Sequence, residues 1–599
     1  MQFRHDMPFG ARLLDGGGTD FRLWAPAAER VELELEGNLL LPMEARTDGW
    51  FTLQCTQAGR ASRYRFRIDG THGVPDPASR YQPDGPNGPS EVIDPLAWQW
   101  RTPHWNGRPE HELVISEVHV GTLCPEGDFD GLRRRLDHFA ALGITAIELM
   151  PVAETPGKWN WGYDMVLPFA PSSRYGSPAA LKQLVDEAHE RELSVILDVV
   201  YNHFGPEGNH LPRYAPRFFS TRHHTPWGAA INFDGPDSET IRSFFIHNAL
   251  YWLQEYRIDG LRLDAVHTIM DDSRRDILTE LAERIRRGPG RERHIQLVLE
   301  NDANEARYLR RNPTGKATLY NAQWNDDFHH CLHVLLTGES HGYYGDYVDH
   351  PTDHLARTLT EGFAWQGEPS AFRGARIRGE PSADLPPLAF VAFLQNHDQT
   401  GNRAAGERIT ALAPARAVRM ATALLLLAPF PPLLFMGQEW GCEQPFPFFC
   451  DFRPELADAV REGRREEFPD HEASRIPDPC AGSTFRSAVL DWSAPDTPAG
   501  NRWLTFHRRL LALRRLHVLP LLPGLKADAA SMYRRGRTGI ATTWRGERGQ
   551  LSLLLNAGSE STSGFMRPPG QCLMALPLLP EGDESLTLPP WSIAWYKDS

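Results

Sequence analysis

Paired cysteines are what this sequence most plainly lacks. It holds seven in 599 residues, scattered and odd in number, with no CxxC spacing. That argues against a disulfide framework or a zinc site and suits a cytoplasmic protein. Basic charge is also short, at 63 Lys and Arg against 77 Asp and Glu, net -14. A nucleic-acid partner, whose phosphates call for a basic surface, is not expected. The runs Arg133-Arg134-Arg135 and Arg284 to Arg287 lie in helix-like stretches and read as solvated faces. The most apolar stretch, Ala421 to Met436, is too short to span a bilayer and carries Pro429, Pro431 and Pro432. It reads as a helix running into a buried strand. The start, Met1-Gln2-Phe3-Arg4-His5-Asp6, lacks the basic-then-apolar pattern of a signal peptide. There is no G-x-G-x-x-G after a strand, no Walker loop and no metal-ligand spacing, so no cofactor and no required metal are expected.

What is present is a change of grammar along the chain. Residues 1–95 alternate polar and apolar at period two, as in Thr19 to Trp24, Arg30 to Leu35 and Tyr64 to Ile68. Gly16-Gly17-Gly18, Asp48-Gly49 and Asp69-Gly70 supply the turns. This predicts an Ig-like β-sandwich. Residues 96–525 alternate short apolar runs with amphipathic helices, the sign of βα units. In one unit Ser177 is the N-cap, Pro178 the first helical residue, and Leu181, Leu184, Val185 and Ala188 the buried face. Eight strands are expected near 113–120, 145–150, 194–200, 260–264, 295–300, 318–323, 388–395 and 433–436. They make the fold class α/β, a (β/α)8 TIM-type barrel. Residues 201–240, rich in Pro, Gly, His and aromatics, form an excursion after the third strand. A helix over Trp503 to Leu516 closes the barrel, and residues 526–599 return to alternation as a small antiparallel β-domain.

Catalysis in such a barrel sits at the C-terminal ends of the strands. There the third strand carries Asp198, Asn202 and His203, and the fourth Arg262, Asp264 and His267. The fifth ends in Glu300-Asn301-Asp302 and the seventh in His397-Asp398. Burying several carboxylates without a function is costly. Arg262 and Asp264, two apart on a strand, share a face, which holds the carboxylate ionised and oriented as a nucleophile. Glu300, ending a run of Leu and Val, suits a general acid with a raised pKa. Two carboxyls flanking a glycosidic bond are the essential parts of a glycosidase.

These four segments resemble the four sequence regions of the α-amylase family, glycoside hydrolase family 13. The resemblance implies Asp264 as nucleophile, Glu300 as acid/base and Asp398 as the aspartate holding sugar hydroxyls at the transition state. It also implies that Arg262, His203 and His397 line the subsite of the attacked sugar. Trp161-Gly162-Tyr163-Asp164 is similar to the segment whose tyrosine stacks on that sugar and whose aspartate supports it. Other stretches are similar to the trehalose-releasing branch of the family. They are Met150 to Glu154, His224 to Gly228, Asn232 to Ser238, Gln323 to His330 and Leu434 to Trp440. That branch hydrolyses the α-1,4 bond next to the terminal trehalose of maltooligosyl trehalose, working after an enzyme that forms this substrate. Specificity is then expected on the leaving-group side, at His267, Trp324, Asn325, Asp326, Asp327, Phe328 and Gln399. Asp326-Asp327 could equally cap a helix, and Glu439 could bind or be structural. Some relatives hold calcium where Asn202 sits, but the full carboxylate set is missing. Glu192 stands where the family usually has Gly. The nearest rivals are α-glucan branching and α-1,6 debranching enzymes, and, from another class, a non-catalytic glycan-binding protein.

Overall fold

The computed structural model describes all residues except 470, 471, 473, 474, 581 and 599, and of residues 72 and 527–529 the backbone alone. Two antiparallel sheets open the chain. Gly10–Leu13, Thr19–Trp24, Trp50–Cys55 and Glu44–Ala45 form one, and Leu39–Pro42, Val31–Leu35, Arg63–Ile68, His72–Val74 and Ser90–Glu91 the other. Their inward residues, among them Phe21, Leu23, Val31, Leu33 and Phe66, are buried between them. The period-two alternation thus produces a sandwich core.

The barrel follows. Its strands are β1 (Ile115–Val118), β2 (Ala146–Leu149), β3 (Ser194–Val199), β4 (Gly260–Leu263), β5 (Gln296–Leu299), β6 (Ala322–Trp324), β7 (Phe390–Phe393) and β8 (Pro432–Phe435). Each pairs in parallel with the next, and β8 closes on β1. Around them lie α1 (Leu136–Leu142), α2 (Pro178–Glu190), α3 (Ser238–Glu255), α4 (Ile277–Arg287), α5 (Asp326–Thr337) and α6 (Ala415–Leu427), then α7 (Pro454–Glu466) at the C-terminal mouth of the strands, and α8 (Pro498–Leu513) back on the outside. The α2 unit forms as its residues dictate. Ser177 caps it by accepting from the Ala180 N–H, and Leu181, Leu184, Val185 and Ala188 are buried.

Two expected boundaries move. The sixth strand begins at Ala322, not near 318. Leu319 and Tyr320 look strand-like, but Tyr320 buries its ring with its hydroxyl donating to Leu278 O, and Asn321 turns its side chain to accept from the Leu297 N–H. The closing helix starts at Pro498 rather than Trp503, because Thr497 caps it from Gly500 N–H. It runs into a wide π turn, Arg514–Val518. The excursion after β3 contains a hairpin, Phe219–Thr225 with Gly228–Ile231. The chain ends in a five-stranded antiparallel sheet and a two-stranded one. No helix among the described residues is long and apolar enough to cross a membrane.

Candidate active site

Parallel register brings the polar strand ends together. Asp198 on β3 is the direct partner of Arg262 on β4. The Arg262 guanidinium, 1% exposed, donates from Nη1 to Asp198 Oδ2 at 2.7 Å and to Asp264 Oδ1 at 2.9 Å. Its Nη2 donates to Glu300 Oε2 at 2.7 Å. One buried cation therefore gathers three carboxylates, and it lies 4.1 Å above the Trp324 ring. Asn202 Nδ2 donates to Asp264 Oδ2 at 3.1 Å while its Oδ1 meets His203 Nδ1 at 2.6 Å. The Ala265 N–H holds Glu300 Oε2 at 2.8 Å, from a backbone with φ +39°.

The wall beside Asp264 is a stack. Tyr163 lies over His397, centroids 5.0 Å apart, and donates to Asp198 Oδ2 at 2.6 Å. Gly162 makes that placement possible. At its φ of +107° a Cβ would lie 2.3 Å from Pro151 O, so no other residue turns the chain there. His397 is seated on Glu117 of β1, through Nδ1 at 2.5 Å and its backbone N–H at 2.9 Å. Burial opposes a charge on His397, but the Glu117 carboxylate outweighs it, with Asp398 adding, and the pKa rises.

The electrostatics divide the carboxyls. Burial, then the negative charge of Asp264, raises the Glu300 pKa against the pull of Arg262. Burial and Glu300 raise Asp398 against His397. Asp326 is pushed well above the carboxylate range by burial, with Glu300, Asp302 and Asp398 adding. Asp164, which accepts from Asn160 Nδ2 at 2.7 Å, is raised by burial to about 6.

The cleft above has a volume of about 760 Å³. It brings together Tyr163, Asp164, His203, Arg262, Asp264, His267, Glu300, Asp326, His397, Asp398 and Gln399. Asp198 lies just beneath, holding Arg262 and Tyr163. Four expected binding residues are not on the cleft. Trp324 is inside the barrel core beneath Arg262. Asn325 is buried, its amide donating to Gly362 O. Phe328 packs on Phe430. Asp327, fully buried, accepts from Asn304, Tyr347 and the Ala364 N–H and faces Arg378 at 3.0 Å. Trp324 ends β6 with its side chain turned into the barrel and Asn325 is the N-cap of the next helix, while for Asp327 and Phe328 the reason is helical geometry. The helix α5 starts at Asp326, so successive side chains rotate by about 100° and one of a consecutive set reaches the cleft.

Sequence reasoning missed Glu117, a charge in the middle of the first barrel strand, which was a readable signal. It also missed Trp227, Tyr343, Phe372 and Arg373, which line the cleft from loops. Trp227 stacks on His203 at 4.5 Å. Glu439 faces away, toward His138 at 2.9 Å. Asn202 is committed to Asp264 and His203. One group of possible metal donors occurs among the described residues, His223, Asp234 and Asp272, but Arg222 already stands 2.7 Å from Asp234 and neutralises it.

Two family models match the chain: the alpha amylase catalytic domain over residues 81–215, and carbohydrate-binding module 48, the isoamylase N-terminal domain, over residues 8–97. The malto-oligosyltrehalose trehalohydrolase of Saccharolobus solfataricus is 40% identical over 513 residues, 85% of this chain and 87% of that protein. The protein of the same name from Deinococcus radiodurans is 38% identical over 597 residues, 98% of this chain and 96% of that one. A solved structure from Salmonella typhimurium, described as a candidate alpha amylase, matches with a TM-score of 0.95 at 44% identity, covering 99% of this chain and all of that one.

Proposed function

This chain belongs to the malto-oligosyltrehalose trehalohydrolase family, within the α-amylase family of glycoside hydrolases, and we propose how its cleft serves that activity. The protein is a retaining α-glycoside hydrolase. It cleaves the α-1,4-glucosidic bond next to the terminal trehalose of maltooligosyl trehalose and releases trehalose.

The observation that carries the assignment of roles is the single buried guanidinium of Arg262 shared by Asp198, Asp264 and Glu300. Glu300, its pKa raised by burial, is the protonated acid. It gives its proton to the glycosidic oxygen as that bond to the anomeric carbon breaks. Asp264, oriented by Arg262 and Asn202, attacks the same carbon and forms a glycosyl ester. Trehalose leaves. Glu300, now a carboxylate, takes a proton from water, whose oxygen displaces Asp264 and regenerates both carboxyl groups. Asp398 and His397 hold hydroxyls of the attacked ring, Tyr163 covers one face, and His203 reaches its primary alcohol side. Trehalose lies toward Asp302, Asp326, His267 and the loop residues Phe372 and Arg373.

The substrate must come from an enzyme that forms a trehalose end on a maltooligosaccharide, the functional partner of this one. A cytoplasmic setting fits the seven cysteines, all free. The test is product analysis with maltotriosyl trehalose and, separately, maltopentaose. Fast trehalose release from the first and slow attack on the second is expected. Chain transfer or α-1,6 cleavage on glycogen, without trehalose, would keep the barrel and move the chain to a branching or debranching role.

A further inference from the structure

A second cavity, of about 570 Å³, lies at the other end of the barrel. Val114 and Thr145, which line it, immediately precede β1 and β2, so it opens at the N-terminal ends of the strands. Its inner surface includes Leu142 and Leu511. Its polar groups are lopsided. Arg108, Arg508, Arg514, Arg515 and Arg548 are there with one carboxylate, Glu112, and Arg108 already binds that carboxylate at 2.7 Å. This occurs in a chain whose net charge is -14.

Two of the arginines have no other employment. Arg508 and Arg515, both exposed, make no ion pair or hydrogen bond among the described residues. They share one face of α8 and its continuation with Leu511 and Ala512, at the i, i+3, i+4, i+7 spacing. Arg548 reaches in from the C-terminal sheet with one bond, to Pro520 O at 3.3 Å. Arg514, 1% exposed, begins the π turn, a form frequent at functional sites. Its guanidinium donates to Leu426 O, Ala428 O and Phe430 O at 2.6 to 3.1 Å and so caps α6. Its Nε, buried, has no partner, and no carboxylate stands within ion-pair distance among the described residues. Burial pulls its pKa down to about 9. Helix capping accounts for the terminal nitrogens of Arg514. It does not account for three more arginines gathered around it without acids.

We propose that this cavity binds a small phosphorylated molecule, its phosphoryl group held by Arg508, Arg515 and Arg548 and its less polar part against Leu142 and Leu511. Guanidinium forks match a phosphoryl dianion in charge and in paired hydrogen bonds. The apolar inner surface favours an organic phosphate over the bare ion. The site is separate from the cleft and does not depend on the glycosidase roles above.

The experiment is isothermal titration calorimetry of the full chain with orthophosphate, pyrophosphate and glucose 6-phosphate, each against sodium chloride at matched ionic strength. Saturable one-to-one binding of at least one phosphorylated probe is expected, with a Kd below about 1 mM. The double variant R508E/R515E should bind it at least about tenfold more weakly, while its trehalose release without ligand stays unchanged. Tighter binding of glucose 6-phosphate than of orthophosphate supports an organic occupant, and the reverse order supports the inorganic ion at the same site. If the charge reversal fails to fold, Arg515→Ala alone carries the comparison and should still weaken binding. No saturable heat with any probe, the same heat with chloride, or unchanged affinity in the variant overturns the proposal.

Discussion

The two walls of the cleft are built to opposite plans. The wall proposed for the attacked sugar stands on strand ends. Parallel register sets Arg262, which holds Asp264 and Glu300 at 2.9 and 2.7 Å, and Glu117 of β1, which holds His397 at 2.5 Å. The wall proposed for the leaving trehalose is made from segments between the strands. Tyr343, Phe372 and Arg373 lie outside the barrel strands, and the Phe372 ring is half exposed. On that side the strand-end Trp324 and the first-turn helix residue Asp327 turn into the core. The proposed bond-breaking chemistry thus rides on register, and the proposed selection of the leaving group rides on segments outside the strands that can change without disturbing it.

The largest effects should come from the register-built wall. Asp264→Asn and Glu300→Gln should each fold and lose turnover, Glu300→Gln by roughly 10²–10⁴-fold and Asp264→Asn by at least as much. Steady-state kinetics on maltotriosyl trehalose checks both, and near-normal turnover in either would dismantle the assignment. The pH profile sharpens it. Because burial and Asp264 raise the Glu300 pKa above its ordinary 4.5, the acid stays protonated to higher pH, and the alkaline limb of kcat/KM should lie above that value. A limb at or below 4.5 would mean that another group is the acid.

Asp327 separates the two plans. Losing a buried carboxylate that faces Arg378 at 3.0 Å leaves that buried cation with Asp302 as its one acidic partner among the described residues and strips the Asn304, Tyr347 and Ala364 donors of their acceptor, at a cost of about 3–5 kcal/mol. Asp327→Ala should therefore lower the thermal midpoint and reduce activity on maltotriosyl trehalose and maltopentaose alike. A selective loss on the trehalose substrate, with stability unchanged, would return Asp327 to the binding surface. Phe372→Ala and Arg373→Ala should do the reverse. Each should leave stability near normal and lower the preference for maltotriosyl trehalose by about tenfold, equivalent to about 1.4 kcal/mol of leaving-group binding. Arg373 also pairs with Asp302, so its removal is expected to show mainly in KM. Equal losses on both substrates would put selectivity elsewhere.

This division also explains what could be read in advance. Period two alone placed Arg262 and Asp264 on one face, and apolar strands ending in carboxylates marked Asp264 and Glu300. The sandwich and all eight strands were readable from alternation and apolar runs. The run Trp324 to Phe328 misled because a linear motif does not say which of its side chains turn inward. The helix α5 begins within it and separates Asp326 from Asp327. Phe372 and Trp227 were unreadable for another reason. An aromatic in a loop has no periodicity, and only the folded chain brings these two to the same cleft as Asp264.

The two ends of the barrel can be contrasted at one backbone conformation. Ala265, at the catalytic end, is left-handed at φ +39°, and its N–H is thereby aimed at Glu300. Glu192, at the other end, is left-handed at φ +57° and closes α2. Its N–H donates to His189 O, and Leu193 N–H to Ala188 O. That is a helix C-cap, which Gly adopts at no steric cost and a longer side chain adopts at about 1–2 kcal/mol. The Glu192 carboxylate returns little. It meets Arg108 at 3.3 Å with its side chain 78% exposed, and such surface pairs contribute close to nothing. Its carbonyl, which accepts from Arg108 Nε at 2.7 Å, survives substitution. Glycine regains backbone freedom in the unfolded chain, which takes back part of the gain. Glu192→Gly should therefore stabilise by about 0.5–1 kcal/mol and leave kcat and KM on maltotriosyl trehalose unchanged. Thermal unfolding measured beside kinetics checks both halves. A fall in the midpoint would show that the pair with Arg108 outweighs the backbone strain, and a change in kcat would show that this end of the barrel is coupled to the cleft.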